Sequence, residues 1–210
     1  MSYLPLAHIT ERIYIEGSSL YNGNSVSFVE SLDSFTNDIQ TIKPTLFLSV
    51  PRLWIRFQMG ILANISQRKL NLLLKIPFLN NVLARKIRQK LGLDQTFIWG
   101  SGAAPISSAT LHWYHRLGIN ISEGWGMTEN CAIGTIGYPF RADKIGSIGR
   151  PISPENLRIS NEGEIQLRGP NVMKEYYLAP EQTAEAFTED GWFKTGDQGR
   201  LDNEGYLYIT

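Results

Sequence analysis

The segment EGWGMTEN, at positions 123–130, places an aromatic ring, a hydroxyl and a carboxylate within five residues, spaced by glycines. A purine can stack on the indole of Trp125, and Thr128 can donate a hydrogen bond to a phosphate oxygen. Glu129 offers the hard carboxylate oxygens that suit Mg²⁺. These residue types indicate a nucleotide and metal site. The alternative interpretation is a loop tryptophan packed in the core beside a solvated glutamate.

A second glycine-rich segment, GSGAAPIS at positions 100–107, follows a strand-like run. Its glycines would let the backbone approach a planar or phosphorylated ligand, and the following helix would turn free N–H groups toward an anion. The segment is not a dinucleotide-binding fingerprint, because Pro105 replaces the third glycine, and the sequence contains no Gly-x4-Gly-Lys-Ser/Thr loop. A tight strand-to-helix turn is the alternative interpretation.

The remaining candidates are isolated residues. His112 and His115 are three residues apart on a predicted helix, but no third ligand is apparent, so we expect structural roles for both. Cys131 is the one cysteine in the sequence, which excludes an intrachain disulfide and a cysteine-based metal cluster. We expect Cys131 to be a small packing residue and Met127 to be a core residue.

The first part of the chain alternates between strand-like and helix-like patterns. Strands are predicted at 24–30 and 44–50 and immediately before each glycine-rich segment, and helices in the segments 33–42, 51–75, 78–91 and 108–118. This alternation predicts a mostly parallel sheet flanked by helices. Because ligands of such sheets bind at the carboxyl ends of the strands, both glycine-rich segments are placed where a ligand would bind.

The composition of the sequence changes at about Tyr138, where glycine and proline become more frequent and the strand-like runs become shorter. Asn-Glu-Gly occurs at 161–163 and again at 203–205, each time between strand-like runs, which predicts two hairpin turns. We therefore predict the α/β class with two partial units. Residues 1–137 form an α/β subdomain, and residues 138–210 form a small antiparallel, barrel-like subdomain with one short helix near 180–187.

Composition and charge exclude several classes of protein. The 210 residues carry a formal net charge of +0, and 42% are hydrophobic, as in ordinary globular domains. No apolar run is long enough to span a membrane, and the N-terminus lacks the form of a signal peptide. The charge is uneven, because residues 39–93 contain no acid but carry ten of the 20 lysines and arginines. This asymmetry favours an anionic partner, although no nucleic-acid-binding module is recognisable.

Four motifs in a fixed order resemble the adenylate-forming, or AMP-binding, superfamily, which includes acyl-CoA synthetases and firefly luciferase. They are LPLAHITER at 4–12, GSGAAPIS, EGWGMTEN, and DGWFKTGDQGRL at 190–201. The likeness covers nearly the whole chain and is strongest to long-chain fatty-acid–CoA ligases, which carry Leu-Pro-x-x-His and Asp-Gly-Trp-x-x-Thr-Gly-Asp segments. Two positions depart from the common pattern, since Ala103 is often glycine and Trp125 is commonly tyrosine.

The resemblance implies ATP, Mg²⁺ and CoA as cofactors and co-substrates, and a role for each matched residue. His8 lines the acyl pocket, where Gly102 and Gly126 also contact the substrate. Thr128 contacts the α-phosphate and Glu129 holds Mg²⁺, and these two are the candidate catalytic residues. Contacts with the nucleotide are implied for Gly102, Ala103, Ala104, Gly124, Trp125, Gly126, Thr128 and, through the ribose hydroxyls, Asp197.

The expected activity is therefore ATP-dependent activation of a fatty acid through an acyl-adenylate, followed by transfer to CoA. The phosphate loop and the C-terminal lysine domain typical of the family are not in the sequence. We therefore expect an internal part of a larger ligase, inactive by itself. A catalytically inactive scaffold that binds acyl chains, lipid or a partner is the alternative.

The expected location is cytoplasmic. The residues at 68–90 carry a separate signal, because their helix pattern places apolar side chains beside basic ones. The apolar residues are Leu70, Leu73, Leu74, Ile76, Phe78 and Leu79, and the basic residues are Arg68, Lys69, Lys75, Arg85 and Lys86. This combination is typical of interfacial helices and favours peripheral contact with an anionic membrane on its inner face. The alternative is that the same leucines pack in the core, and a homodimer is left open.

Overall fold

A computed structural model describes residues 1–210 and contains seven α-helices and nine β-strands. The helices are α1 (Ser18–Asn22), α2 (Phe35–Ile42), α3 (Pro51–Asn64), α4 (Gln67–Leu73), α5 (Leu79–Leu91), α6 (Ser108–His115) and α7 (Pro180–Ala186). The strands are β1 (Leu46–Ser49), β2 (Ile98–Ser101), β3 (Ile121–Trp125), β4 (Thr135–Ile136), β5 (Arg150–Pro151), β6 (Leu157–Ile159), β7 (Glu164–Leu167), β8 (Phe193–Leu201) and β9 (Leu207–Ile209). A π-helical segment, Glu11–Gly17, precedes α1. None of the helices combines the length and the apolar character that a membrane-spanning helix requires.

The first sheet has the order β1-β2-β3-β4-β5. Strands β1, β2 and β3 are parallel, and β4 and β5 add antiparallel pairs at one edge. In the parallel part, Ser49 lies beside Ser101, which lies beside Glu123. The carboxyl ends of the three parallel strands therefore lie side by side at the same end of the sheet. Both glycine-rich segments leave the sheet at this end.

The main core lies between this sheet and helices α2 to α6. Trp54 of α3 is fully buried, and its Nε1 donates a hydrogen bond to the carbonyl oxygen of Gly100 on β2, 3.2 Å away. The hydroxyl of buried Tyr114, on α6, donates to the carbonyl oxygen of Trp54. These buried polar groups are satisfied by the backbone, so the aromatic core fixes both helices against the strand that leads into the first glycine-rich segment.

The second sheet is antiparallel, with the order β6-β7-β8-β9. The two predicted Asn-Glu-Gly turns are confirmed, since Gly163 and Gly205 have φ of 85° and 79° and connect β6 to β7 and β8 to β9. The register between β7 and β8 shifts near Glu164 and Gln166, which is an irregularity that bends a sheet. The predicted α/β class, with a small antiparallel sheet after the parallel one, is confirmed.

Two local predictions are wrong. Residues 24–30 form no strand, because this surface segment makes a single bridge, between Phe28 and Ser2, and has no neighbouring strand to pair with. The helix predicted over 51–75 divides into α3 and α4, because Ile65 is extended and the side chain of Ser66 caps α4 by accepting a hydrogen bond from the Lys69 N–H.

The two sheets are joined through the segment that follows β4. The N–H of Ile148 donates to the carbonyl oxygen of Leu207, and the N–H of Leu207 donates to the carbonyl oxygen of Gly149. Lys144 adds ion pairs with Asp202 and Glu204. The first sheet continues to Pro151 through β5, and the division of the chain at residues 137 and 138 stays a prediction.

Candidate functional site

A cavity of about 480 Å³ lies at the carboxyl ends of β1, β2 and β3. Its walls combine the first strands, the π-helical segment and both glycine-rich segments. Eight of the residues predicted from the sequence line it: His8, Gly102, Ala103, Gly124, Trp125, Gly126, Thr128 and Glu129. Residues from three separate motifs are thus brought to one place by the parallel sheet.

The first glycine-rich segment leaves β2 at Ser101 and turns sharply into α6. The N–H of Gly102 donates to the carbonyl oxygen of Ser49, 3.3 Å away, which ties the turn to β1. Ala103 has a left-handed backbone with φ of 66°, a conformation that costs energy for a residue with a Cβ atom. Ala104 is exposed and does not line the cavity. The side chain of Ser107 caps α6 by accepting a hydrogen bond from the Thr110 N–H.

The second glycine-rich segment is folded tightly on itself. A Cβ atom at Gly126 would lie 2.5 Å from the carbonyl carbon of Ala132, so only glycine fits at this position. The side-chain oxygen of Asn130, which is fully buried, accepts a hydrogen bond from the Met127 N–H at 2.9 Å. Cys131 and Ala132 both have left-handed backbones, with φ of 58° and 56°. Strained backbone of this kind is typical of functional loops.

Trp125 lies between the two sheets. Its ring packs closely against Gly134, the residue that precedes β4. A Cβ atom added at Gly134 would lie only 2.6 Å from Cε3 of the indole. The ring also packs against the apolar cluster of the second sheet. Its Nε1 donates a hydrogen bond to Oδ2 of Asp197 across 2.7 Å. The structure therefore joins two residues that the sequence assigned separately to a nucleotide, and their direct contact was not predicted.

The carboxylate of Glu129 is half-buried at the rim of the cavity. Its Oε1 accepts a hydrogen bond from the hydroxyl of Tyr176 at 3.0 Å, and Oε2 makes no hydrogen bond within the chain. No group of three or more histidine, cysteine, aspartate or glutamate side chains is arranged to hold a metal ion. One carboxylate fits Mg²⁺ because this ion is commonly held by one or two carboxylates, with water and phosphate oxygens completing its octahedral shell.

The opposite wall of the cavity comes from the N-terminal segment. His8 is half-buried, and its Nδ1 accepts a hydrogen bond from the Thr10 N–H at 3.2 Å. Tyr14, in the π-helical segment, donates from its hydroxyl to the carbonyl oxygen of Ala132 at 2.9 Å. This contact links the N-terminal wall to the strained part of the second glycine-rich segment, 118 residues away.

Glu123 is a functional candidate that the motif analysis missed. It is the third residue of β3, it is 8% exposed, and it also lines the cavity. Burial disfavours its charged form and raises the pKa of its carboxyl to about 7. Its position as the first residue of EGWGMTEN was visible in the sequence, but burial was not. Tyr176 and Tyr14 lacked any sequence signal, because their partners are distant in the chain.

Comparison with known proteins places this arrangement in a family. The profile of the AMP-binding enzyme family matches residues 1–177. The chain belongs to this family. Among its relatives, the long-chain-fatty-acid–CoA ligase FadD15 of Mycobacterium tuberculosis is 32% identical over 233 residues, covering 99% of this chain and 38% of the relative. Fatty acyl-CoA synthetase A of Dictyostelium discoideum is 32% identical over 244 residues, covering 100% of this chain and 36% of the relative.

Solved structures of AMP-binding enzymes share the fold. The o-succinylbenzoate CoA synthetase of Bacillus subtilis in a binary complex with a product analogue has a TM-score of 0.72 at 25% identity, covering 99% of this chain and 39% of that one. ATP-bound MatB from Rhodopseudomonas palustris has a TM-score of 0.71 at 25% identity, covering 99% and 38%. The chain spans about two fifths of the length of the first curated relatives that it matches.

Proposed function

We propose that the protein carrying this chain is a fatty-acid–CoA ligase that works through an acyl-adenylate. The observation that carries the proposal is one cavity that combines apolar side chains of β1 and β2, opposite His8, with Trp125, Thr128 and Glu129, three of the residues proposed to bind the nucleotide and Mg²⁺. Asp197 lies outside the cavity lining and is connected to it through the hydrogen bond that it accepts from Trp125. The relatives named as fatty-acid–CoA ligases and acyl-CoA synthetases support the class of reaction. FadD15 is named as a long-chain-fatty-acid–CoA ligase, and we extend long-chain fatty acids to this protein as part of the proposal.

In the first step, a carboxylate oxygen of the fatty acid bonds to the α-phosphorus of ATP, and the bond from that phosphorus to the bridging oxygen breaks to release pyrophosphate. In the second step, the CoA thiolate bonds to the acyl carbon and AMP leaves. Neither step needs a nucleophilic side chain, so the protein contributes mainly position and charge. Mg²⁺, when bound, offsets the negative charge of the phosphates.

Each proposed nucleotide contact has a physical reason in the site. Trp125 offers an indole face for the adenine, and Asp197, on the exposed side of the indole, can accept hydrogen bonds from two ribose hydroxyls. Thr128 is exposed at the cavity, so its hydroxyl is free for the α-phosphate, and Glu129 would hold Mg²⁺. We assign the backbone contacts with the nucleotide or the acyl carbonyl to Gly102, Ala103, Ala104, Gly124 and Gly126.

The acyl chain is proposed to lie along the strand side of the cavity. Leu46 and Leu48 of β1 and Ile98 of β2 line it there, opposite Leu4 and His8. An apolar wall of this kind favours an aliphatic substrate through burial of its methylene groups, each of which contributes about 0.8 kcal/mol.

The test is pyrophosphate release by the protein with ATP, Mg²⁺ and a panel of saturated fatty acids of increasing length. We expect release to depend on the fatty acid, to be highest with long chains, and to yield acyl-CoA only when CoA is added. Binding of fatty acids without any release of pyrophosphate would overturn the proposal and favour the inactive scaffold.

We further propose that the protein meets an anionic membrane through α4, α5 and the turn between them. The apolar side chains exposed there are Leu72, Ile76, Phe78, Leu79 and Val82. Exposed cations lie beside them, namely Arg68, Lys69, Lys75, Arg85, Lys86 and Lys90. Interfacial helices combine an apolar face with basic residues in this way. Leu70 packs in the core and Leu73 and Leu74 are half-buried, so the contact surface is narrower than the sequence pattern predicted.

Co-sedimentation with liposomes tests this contact. Binding to anionic vesicles should weaken as salt is added, because each basic residue near the surface contributes about 1 kcal/mol that salt screens. It should also fall when Arg85, Lys86 and Lys90 are changed to Gln. Equal binding to neutral and anionic vesicles, or binding to neither, would overturn the membrane proposal and leave the ligase proposal intact.

A further inference from the structure

Glu129 is held by the segment that connects β7 to α7. The hydroxyl of Tyr176 donates to its Oε1 at 3.0 Å, and the N–H of Met173 donates to its carbonyl oxygen at 2.6 Å. One residue is thus fixed at both its backbone and its side chain by a segment more than 40 residues further along the chain. The second carboxylate oxygen, Oε2, is left without a partner in the protein.

The same segment also supports the strained backbone beside Glu129. The side-chain amide of Asn171 donates to the carbonyl oxygens of Asn130 at 3.1 Å and of Ile133 at 2.9 Å. These acceptors flank Cys131 and Ala132, the two successive residues with left-handed backbones. A conformation of this kind persists where surrounding contacts hold it in place. Asn171 therefore secures the loop, while Tyr176 contacts the carboxylate itself.

Tyr176 is anchored to α7 through its backbone. Its N–H donates to Oγ1 of Thr183 at 2.9 Å, and the same hydroxyl donates to the carbonyl oxygen of Ala179, which anchors the tyrosine to α7. Tyr176 is half-buried, whereas its neighbour Tyr177 is 88% exposed and makes no side-chain hydrogen bond. The chain thus offers one anchored tyrosine and one matched control beside it.

We propose that Tyr176 is a positioning residue for the adenylation step. Its hydroxyl holds Oε1 of Glu129, which fixes the rotamer of the carboxylate and keeps Oε2 available for Mg²⁺. This inference rests on the proposed function and adds a residue to it that the sequence did not indicate. Partners that orient a metal-binding carboxylate through a hydrogen bond typically change metal affinity or activity by 10- to 100-fold when they are removed.

The deciding comparison is Tyr176→Phe against Tyr177→Phe in the whole protein. We expect Tyr176→Phe to raise the Mg²⁺ concentration needed for half-maximal pyrophosphate release about tenfold. The KM for the fatty acid and the melting temperature should change little, and Tyr177→Phe should behave as the wild type. In a Glu129→Gln background, Tyr176→Phe should have no additional effect on the metal dependence. An unchanged Mg²⁺ requirement in Tyr176→Phe would overturn the proposal.

A second readout separates this proposal from the proposed function. Binding of Mn²⁺ in the presence of ATP, followed by electron paramagnetic resonance, should weaken about tenfold in Tyr176→Phe and not in Tyr177→Phe. If the wild type binds Mn²⁺ and ATP but releases no pyrophosphate, the ligase proposal fails while this comparison still decides the role of Tyr176. Equal binding of Mn²⁺ by all three proteins would exclude a positioning role.

Discussion

The indole nitrogen of Trp125 donates a hydrogen bond to Oδ2 of Asp197 across 2.7 Å, so the end of β3 in the first sheet contacts β8 in the second. The two residues are 72 positions apart. Because the acceptor is a carboxylate, the bond is charge-assisted, although its exposure to water reduces its strength. We interpret it as a contact that sets the orientation of Asp197 beside the indole face.

Trp125→Phe should weaken ATP binding while keeping an aromatic face for the adenine. The variant loses the hydrogen bond to Asp197, worth about 1 kcal/mol for an exposed pair, so the KM for ATP should rise roughly fivefold. Tyr138→Phe is the matched control, since Tyr138 lines the same cavity and its hydroxyl makes no hydrogen bond. An equal KM for ATP in Trp125→Phe and wild type would show that the indole N–H has no role.

Asp197→Ala separates binding of the ribose from binding of the metal. The loss of a carboxylate that accepts two hydroxyls should raise the KM for ATP by roughly tenfold or more. The Mg²⁺ concentration for half-maximal activity should stay the same, because the metal is assigned to Glu129. Steady-state pyrophosphate release over a grid of ATP and Mg²⁺ concentrations measures both quantities. A shifted Mg²⁺ requirement with unchanged ATP affinity would reverse the assignment.

Glu129→Gln should lower the adenylation rate by about 100-fold or more. The substitution keeps the shape of the side chain but removes the charge that would hold Mg²⁺ near the phosphates. Glu175→Gln provides the control, because Glu175 is exposed on the neighbouring segment and makes no hydrogen bond. Single-turnover release of pyrophosphate is the measurement. An adenylation rate within about threefold of the wild type would show that Glu129 does not contribute to adenylation.

The sequence predicted the elements of this site better than their contacts. The motif residues Gly102, Trp125 and Glu129 could be placed at one edge of the sheet, because parallel strands end together and the glycine-rich segments follow them. The contact between Tyr176 and Glu129 could not be predicted, since it joins a connecting segment of the second sheet to a loop of the first.

Local errors have local causes. The alternation of polar and apolar residues at 24–30 suggested a strand, but a strand also needs a neighbour, and this segment has only one bridge. The apolar period over 51–75 continued through Ser66, whose capping hydrogen bond competes with the helix and starts a new one. In both cases the pattern was present, and the hydrogen-bond partner decided the structure.

Gly126→Ala should destabilise the protein, whereas Gly60→Ala should stabilise it. A Cβ atom at Gly126 would collide with the backbone of Ala132 at 2.5 Å, and relief of such overpacking costs about 1–3 kcal/mol. A Cβ atom at Gly60, within α3, meets nothing within 4 Å, and alanine is preferred over glycine in a helix by about 0.5–1 kcal/mol. Urea denaturation of the two variants measures both signs. A neutral Gly126→Ala would contradict the tight fold of the loop.

Glu123→Gln should stabilise the protein increasingly as the pH rises from about 4.5 to about 7. Burial raises the pKa of Glu123 from 4.5 to about 7, so between these values the folded state binds more protons than the unfolded state. The wild type therefore loses stability as the pH rises through this window, and the loss is complete above it. Glutamine has no proton to release, so its advantage should grow to at most about 3 kcal/mol. Chemical denaturation of both proteins at pH 5 and pH 8 measures the change, with exposed Glu155 changed to Gln as the control. A stability difference that is the same at both pH values would show that the carboxyl of Glu123 titrates as an exposed group does.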